Sequence, residues 1–71
     1  DIKSLQMFQH LANSLHFAQT AEVFHVSPST LSRAIQRLEE QLGSSLLHRD
    51  NRTVALTEAG LQFKAYADQQ L

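Results

Sequence analysis

The chain has 71 residues, 42% of them apolar and 18% charged, with six basic and seven acidic side chains, four histidines and no cysteine. That length fits one small domain, which buries only about 60% of the surface it exposes when unfolded, so the core is thin. The composition excludes a disordered chain, a membrane span of roughly 20 apolar residues, a disulfide framework and a thiolate metal site. Asp1-Ile2-Lys3 lacks the pattern of a signal peptide, and the expected compartment is the cytoplasm.

Asp1 is placed to cap a first helix carrying Leu5, Phe8, Leu11, Ala12 and Leu15 at spacings of three and four, with Asn13-Ser14 as its punctuation. A short second helix is predicted over 18–24, with Ala18, Ala21 and Phe24 on one side and the small alanines allowing another helix to come close. His25-Val26 makes the turn that follows. Ser27 is then an N-cap candidate, and Pro28 falls at the first helical position, where its missing N–H does no harm. The third helix carries Leu31, Ile35, Leu38 and Leu42 as an i, i+4, i+7, i+11 stripe, and Gly43 directly after it reads as a left-handed cap.

Beyond Ser44-Ser45, residues 46–49 and 53–56 read as two short strands joined by the turn chemistry of Asp50-Asn51, a β-hairpin wing. Thr57 caps a last helix with Glu58 in its first turn, where the helix dipole favours an acid. Gly60 lies near that start and sacrifices about 1 kcal/mol relative to alanine, so close backbone packing is expected to require it. Leu61, Ala65, Tyr66 and Leu71 are the candidates for this helix's apolar face. Helix, short helix, turn, capped helix, hairpin and helix is the order of a winged helix-turn-helix: a mainly α fold with a three-helix core and a small β wing.

The net charge of −1 argues against a nucleic-acid binder only if the sum alone is read. Counterion release depends on which charges face the phosphates. From Val23 to Leu38 the charged side chains are Arg33 and Arg37, and from Leu46 to Leu56 they are Arg49 and Arg52 against Asp50. At about 100° per residue, Ile35, Leu38 and Leu42 cluster within roughly 40° of Leu31, while Ser29, Thr30, Arg33, Gln36 and Arg37 lie opposite at roughly 140–260°. Arg33 suits the O6/N7 edge of guanine, and Gln36 suits adenine or a phosphate. Ser27, Ser29 and Thr30, with the free amides of the helix start, suit phosphate or base-edge contacts. Arg37 and Arg49 suit phosphates, and Arg52 a minor groove.

Each reading has a plainer rival. A polar helix face is usually just solvated, and here the order of elements and the lack of acid before Glu40 argue otherwise. Arg49 is as well suited to a salt bridge within the domain, and Glu39 to a structural role. His10, His16, His25 and His48 have no metal-site spacing, and no G-x-S-x-G elbow occurs, so neither a metal site nor an enzyme is expected. A winged helix used only for protein–protein assembly stays open as the alternative.

The run Phe17–Ser27 resembles the second helix and turn of LysR-type transcriptional regulators, and Leu31–Glu39 resembles their recognition helix. Leu42–Arg49, Arg52, Val54 and Leu56–Gly60 resemble the family's wing and linker start. Ser27-Pro28-Ser29 departs from the family's usual Ser-Gln-Pro, so a base contact made by that glutamine does not carry over to Pro28; the stretch Ser27, Pro28, Ser29, Thr30, Ser32 remains the expected contact region. Leu47 stands where the family often has Phe. Within the family, Val26–Arg33 and Arg49–Val54 most resemble the branch that activates the acetohydroxy acid isomeroreductase gene of branched-chain amino acid synthesis.

The resemblance implies residues 1–56 as the DNA-binding unit, with the helix-turn-helix about 17–37 and the wing about 46–56, and 57–71 as the start of a linker helix. It implies a partly palindromic double-stranded operator and a homodimer formed through Leu61, Ala65 and Tyr66, with higher oligomers in the intact regulator. It also implies RNA polymerase as a partner and a small-molecule effector bound by a domain that this chain lacks. No cofactor and no membrane contact are implied.

Overall fold

The fold is that of a computed structural model describing residues 1–50 and 52–71; Asn51, half of the expected Asp50-Asn51 turn, lies outside the described residues. Six elements follow one another: α1 (Ile2–Ser14), α2 (Phe17–Val23), α3 (Pro28–Leu42), β1 (Leu47–Arg49), β2 (Val54–Leu56) and α4 (Glu58–Gln70). The strands pair antiparallel in the register Leu47 with Leu56, His48 with Ala55 and Arg49 with Val54. This is a winged helix-turn-helix.

Local chemistry sets most of the boundaries. The Asp1 carboxylate accepts the Ser4 N–H at 2.8 Å and starts α1. The Ser27 hydroxyl accepts the Thr30 N–H at 3.1 Å with Pro28 behind it, and Thr57 Oγ1 accepts the Gly60 N–H at 2.9 Å. Gly43 ends α3 at φ 70°, as its position predicts. Helix α2 begins one residue earlier than expected, because His16 caps it by accepting the Gln19 N–H on Nδ1. Leu15 departs from the expected apolar face of α1: it has left the helix at φ 55° as its left-handed cap and is 39% exposed.

The core is Met7, Phe8, Leu11 and Ala12 of α1, Ala21 of α2, Leu31, Ala34, Ile35 and Leu38 of α3, and Leu46 and Leu47 at the wing. Several positions expected on apolar helix faces fall outside it. Ala18 is exposed, because the inward side of α2 runs through Phe17, Thr20, Ala21 and Phe24 once the helix starts at Phe17. Leu42 is 47% exposed, since the last turn of α3 passes beyond the packed helices and borders an open groove with Ile2, Leu5, Phe63 and Tyr66. Leu61, Ala65 and Leu71 are exposed, and Tyr66 borders that groove with its ring stacked on Phe63 at 5.6 Å, while α4 packs through Gly60, Phe63 and Ala67, with Phe8 and Phe63 ring centroids 5.1 Å apart.

Thr20 is fully buried yet polar, and its hydroxyl is satisfied by His10 Nδ1 at 2.7 Å and Ser14 Oγ at 2.9 Å, which joins α2 to α1. Gln9, also on α1, donates to Asp68 at 2.8 Å, and Lys64 pairs with the same carboxylate at 3.1 Å.

Glu39 carries the junction between α3 and the wing. Its Oε2 accepts the Leu46 N–H at 2.8 Å, which is why β1 begins at Leu47 and not at Leu46. The Leu46 carbonyl in turn accepts the Thr57 N–H at 3.0 Å, and a Cβ added at Gly60 would collide with that same carbonyl. Helix propensity alone predicts that Gly60→Ala gains about 1 kcal/mol. The contact with a hydrogen-bonded backbone oxygen predicts the opposite sign, a net loss of roughly 1–3 kcal/mol in urea unfolding. A stabilised Gly60→Ala variant would show that α4 can move away from the wing.

Candidate nucleic-acid interface

The rotation of α3 follows from its buried side. Leu31, Ala34, Ile35 and Leu38 face the core, which leaves Ser29, Arg33, Gln36, Arg37 and Glu40 exposed on the opposite side. The Arg33 guanidinium lies 3.5 Å from Thr30 Oγ1, one turn back. Among the described residues the only ion pair is Lys64 with Asp68, so Arg33, Arg37, Arg49 and Arg52 all stand without a carboxylate partner.

The start of α3 is more occupied than its sequence implies. Pro28 has no N–H, the Thr30 N–H is taken by Ser27 Oγ, and the Leu31 N–H goes to the Ser27 carbonyl at 3.0 Å. Ser27 Oγ also donates to Thr30 Oγ1 at 3.0 Å. Ser29 therefore supplies the free amide of the first turn, together with its exposed hydroxyl. Ser32 is half-buried at the edge of this face.

Arg49, at the end of β1, makes no salt bridge among the described residues. Its Nη1 donates to Ser32 Oγ at 2.6 Å, and its guanidinium carbon lies 4.8 Å from the centre of the Phe17 ring. The wing is thus fastened to both helices of the helix-turn-helix. Sequence reasoning did not find Phe17 as part of this arrangement, because positions 17, 32 and 49 share no periodicity that would bring them together.

At the wing turn, Asp50 Oδ1 accepts the Arg52 and Thr53 N–H groups, each at 2.8 Å, and the Thr53 hydroxyl at 3.1 Å. The Arg52 side chain is exposed beside it. Glu39, weighed above as structural, is the wing-anchoring acid already described. Leu61, Ala65 and Tyr66 lie exposed on α4. Among the described residues no cluster of metal-ligating side chains occurs, and no helix is long and apolar enough to cross a membrane.

Residues 2–61 match the family described as bacterial regulatory helix-turn-helix protein, lysR family. The chain belongs to the LysR family. It is 59% identical to the HTH-type transcriptional activator IlvY of Salmonella typhimurium over all 71 residues, which make up 24% of that protein. The IlvY activator of Haemophilus influenzae is 52% identical over 67 residues, covering 94% of this chain and 23% of that protein. The crystal structure of the CbnR DNA-binding domain in complex with DNA superposes with a TM-score of 0.92 at 34% identity, over 99% of this chain and 80% of that one. The chain thus spans about a quarter of the length of the IlvY regulators it matches.

The wing turn of this LysR-family domain should respond to acid. The Arg52 amide first, then the Thr53 amide and hydroxyl, hold the Asp50 carboxyl below the ordinary aspartate range. Its ionised form therefore stabilises the fold at any pH above the unfolded-state value, and that contribution is lost as pH falls through the lower folded-state value. In an NMR titration, the Asp50 carboxyl carbon and the Arg52 and Thr53 amides should move together, at a pH below that of an unperturbed aspartate. Amides that stay put while the carboxyl titrates would mean the turn does not depend on it.

Proposed function

We propose that this chain is the sequence-specific, double-stranded DNA-reading head of a LysR-type transcription regulator. The observation that carries the reading is the exposed face of α3, with Arg33, Gln36 and Arg37 outward and no carboxylate neutralising either arginine. A helix of this size fits the major groove, where an arginine can donate two hydrogen bonds to one guanine edge. Arg33 is assigned to that contact and Gln36 to an adenine edge or a phosphate. Arg37 and Arg49 are assigned to phosphates, Arg52 to the minor groove beside the wing, and Ser29 with Thr30 to the backbone at the helix start. Ser27 and Pro28 shape that start, and Ser32, one turn further on, lies at the edge of the proposed contact region beside Arg49. The solved CbnR domain, 34% identical, is bound to DNA, which supports the reading.

Residues 1–56 form the proposed DNA-binding unit and 57–71 the first turns of a linker helix. The exposed Leu61, Ala65 and Tyr66 fit a homodimer contact that sets two recognition helices on a partly palindromic operator. The intact protein, working in the cytoplasm with RNA polymerase and an effector bound elsewhere in the chain, would activate a gene of branched-chain amino acid synthesis. Both IlvY relatives are transcriptional activators, and catalysis has no part in this reading. A protein-assembly role without DNA finds no support in these relatives.

Arg33→Ala should cost about 1–3 kcal/mol on the cognate operator and relax base preference at one position, with a smaller effect on random DNA, in fluorescence-anisotropy titrations. Equal losses on both duplexes would remove the base-reading role. Arg37→Ala should weaken binding to every sequence and lower the slope of log affinity against log salt by about 0.9. An unchanged slope would remove its phosphate contact, and a wild-type chain without salt-dependent DNA affinity would sink the whole assignment.

A further inference from the structure

Three residues far apart in sequence meet where the wing returns to the helices. Phe17 opens α2, Ser32 lies one turn into α3, and Arg49 ends β1. The Arg49 guanidinium lies over the Phe17 ring at 4.8 Å, and its Nη1 donates to Ser32 Oγ at 2.6 Å. A guanidinium has two faces and five in-plane donors, and it holds one orientation only when both a face and an edge are engaged. Here one face and one edge are taken. The remaining donors have no partner among the described residues, and Arg49 is exposed. A long arginine side chain at the end of a three-residue edge strand would otherwise sample many rotamers, and ordering it on DNA would oppose binding.

We infer that Phe17 and Ser32 are positioning residues that pre-order Arg49, so that its free donors are already aimed when a phosphate arrives. The inference rests on the DNA-reading assignment above. It adds that α2, which carries no predicted DNA contact, sets the strength of a wing contact through one aromatic ring. Ser32 thereby acquires a role other than touching DNA: it holds the edge of an arginine that does. Phe17 is half-buried and packs against the core, so its substitution by a leucine retains apolar volume while removing the ring face.

The test is a double-mutant cycle on a duplex of random sequence, because a phosphate contact requires no operator. Phe17→Leu should weaken binding roughly threefold to tenfold in the Arg49 background. In the Arg49→Ala background it should change binding by less than about twofold. Phe17→Tyr, which restores the ring, should bind like the wild type and guards against a folding defect, checked by thermal melting of each variant. In the free protein, NMR should show the Arg49 side-chain protons shifted upfield by the Phe17 ring, a shift lost in Phe17→Leu and kept in Phe17→Tyr. Equal weakening by Phe17→Leu in both backgrounds would make the ring merely structural and overturn the inference, as would the absence of the upfield shift in the wild type. A wild-type chain that shows the shift but has no salt-dependent DNA affinity would overturn the DNA-reading assignment and the positioning role with it, leaving the contact itself in place.

Discussion

Everything that faces outward in this domain is decided by what α3 buries. Leu31 and Ile35 are fully buried, and Ala34 and Leu38 nearly so, against α1 and α2. Turning the helix by one residue, about 100°, would bring polar positions such as Ser32 toward the core and expose a large aliphatic side chain. Burying each such side chain is worth about 1.5–3 kcal/mol, a large fraction of the net stability of so small a domain. The rotation is therefore fixed, and the position of Arg33 is fixed with it. The Thr20–His10–Ser14 contact then sets α2 against α1, so α2 cannot swing away from α1 without unsatisfying a buried hydroxyl.

The wing depends on the same helix by a different route. Glu39 lies on α3 just past the buried stripe and turns its carboxylate onto the Leu46 amide. An acid on a helix proposed to approach DNA would repel phosphates if it pointed outward. Here its charge is engaged by main-chain and hydroxyl donors at the wing's base, which both anchors the hairpin and takes one negative charge off the reading face. Glu40, the next residue, stays exposed toward the far end of α3. The net charge of −1 is thus compatible with an unneutralised arginine surface, because charge acts on DNA through its placement.

Features set by local chemistry were legible in the sequence. The Ser27-Pro28 start, the Gly43 stop, the Thr57 cap and the packing demand at Gly60 each depend on neighbours within a few residues or on a single steric fact. The outward set Ser29, Arg33, Gln36 and Arg37 was equally readable from periodicity. What escaped depended on where helices end and on contacts across long sequence separations. Periodicity cannot tell that Leu15 becomes a cap, that Leu42 outlasts the core, or that α2 starts at Phe17 and so turns Thr20 inward and Ala18 outward. On α4 the side facing the domain is lined by Gly60, Phe63 and Ala67, while the apolar Leu61, Ala65 and Tyr66 are exposed. Small residues there let the helix lie close, and hydropathy gives such positions little weight.

The start of α3 shows how a local signal can be read correctly and still mislead about function. Ser27 and Pro28 make a strong helix start, and a helix start is ordinarily a source of unpaired amides for an anion. In this chain the same two residues use up that supply. The proline removes one donor, the serine hydroxyl occupies the Thr30 amide, and the serine carbonyl begins the helical ladder at Leu31. Ser29 is left with the free amide, so a phosphate seated there would be held by Ser29 and by arginine side chains and not by a ring of backbone donors. Replacing Ser27 would first weaken the helix and only through that the surface. The placement of Arg33, Arg37 and Arg49 therefore matters more in this domain than in one whose recognition helix begins with open amides.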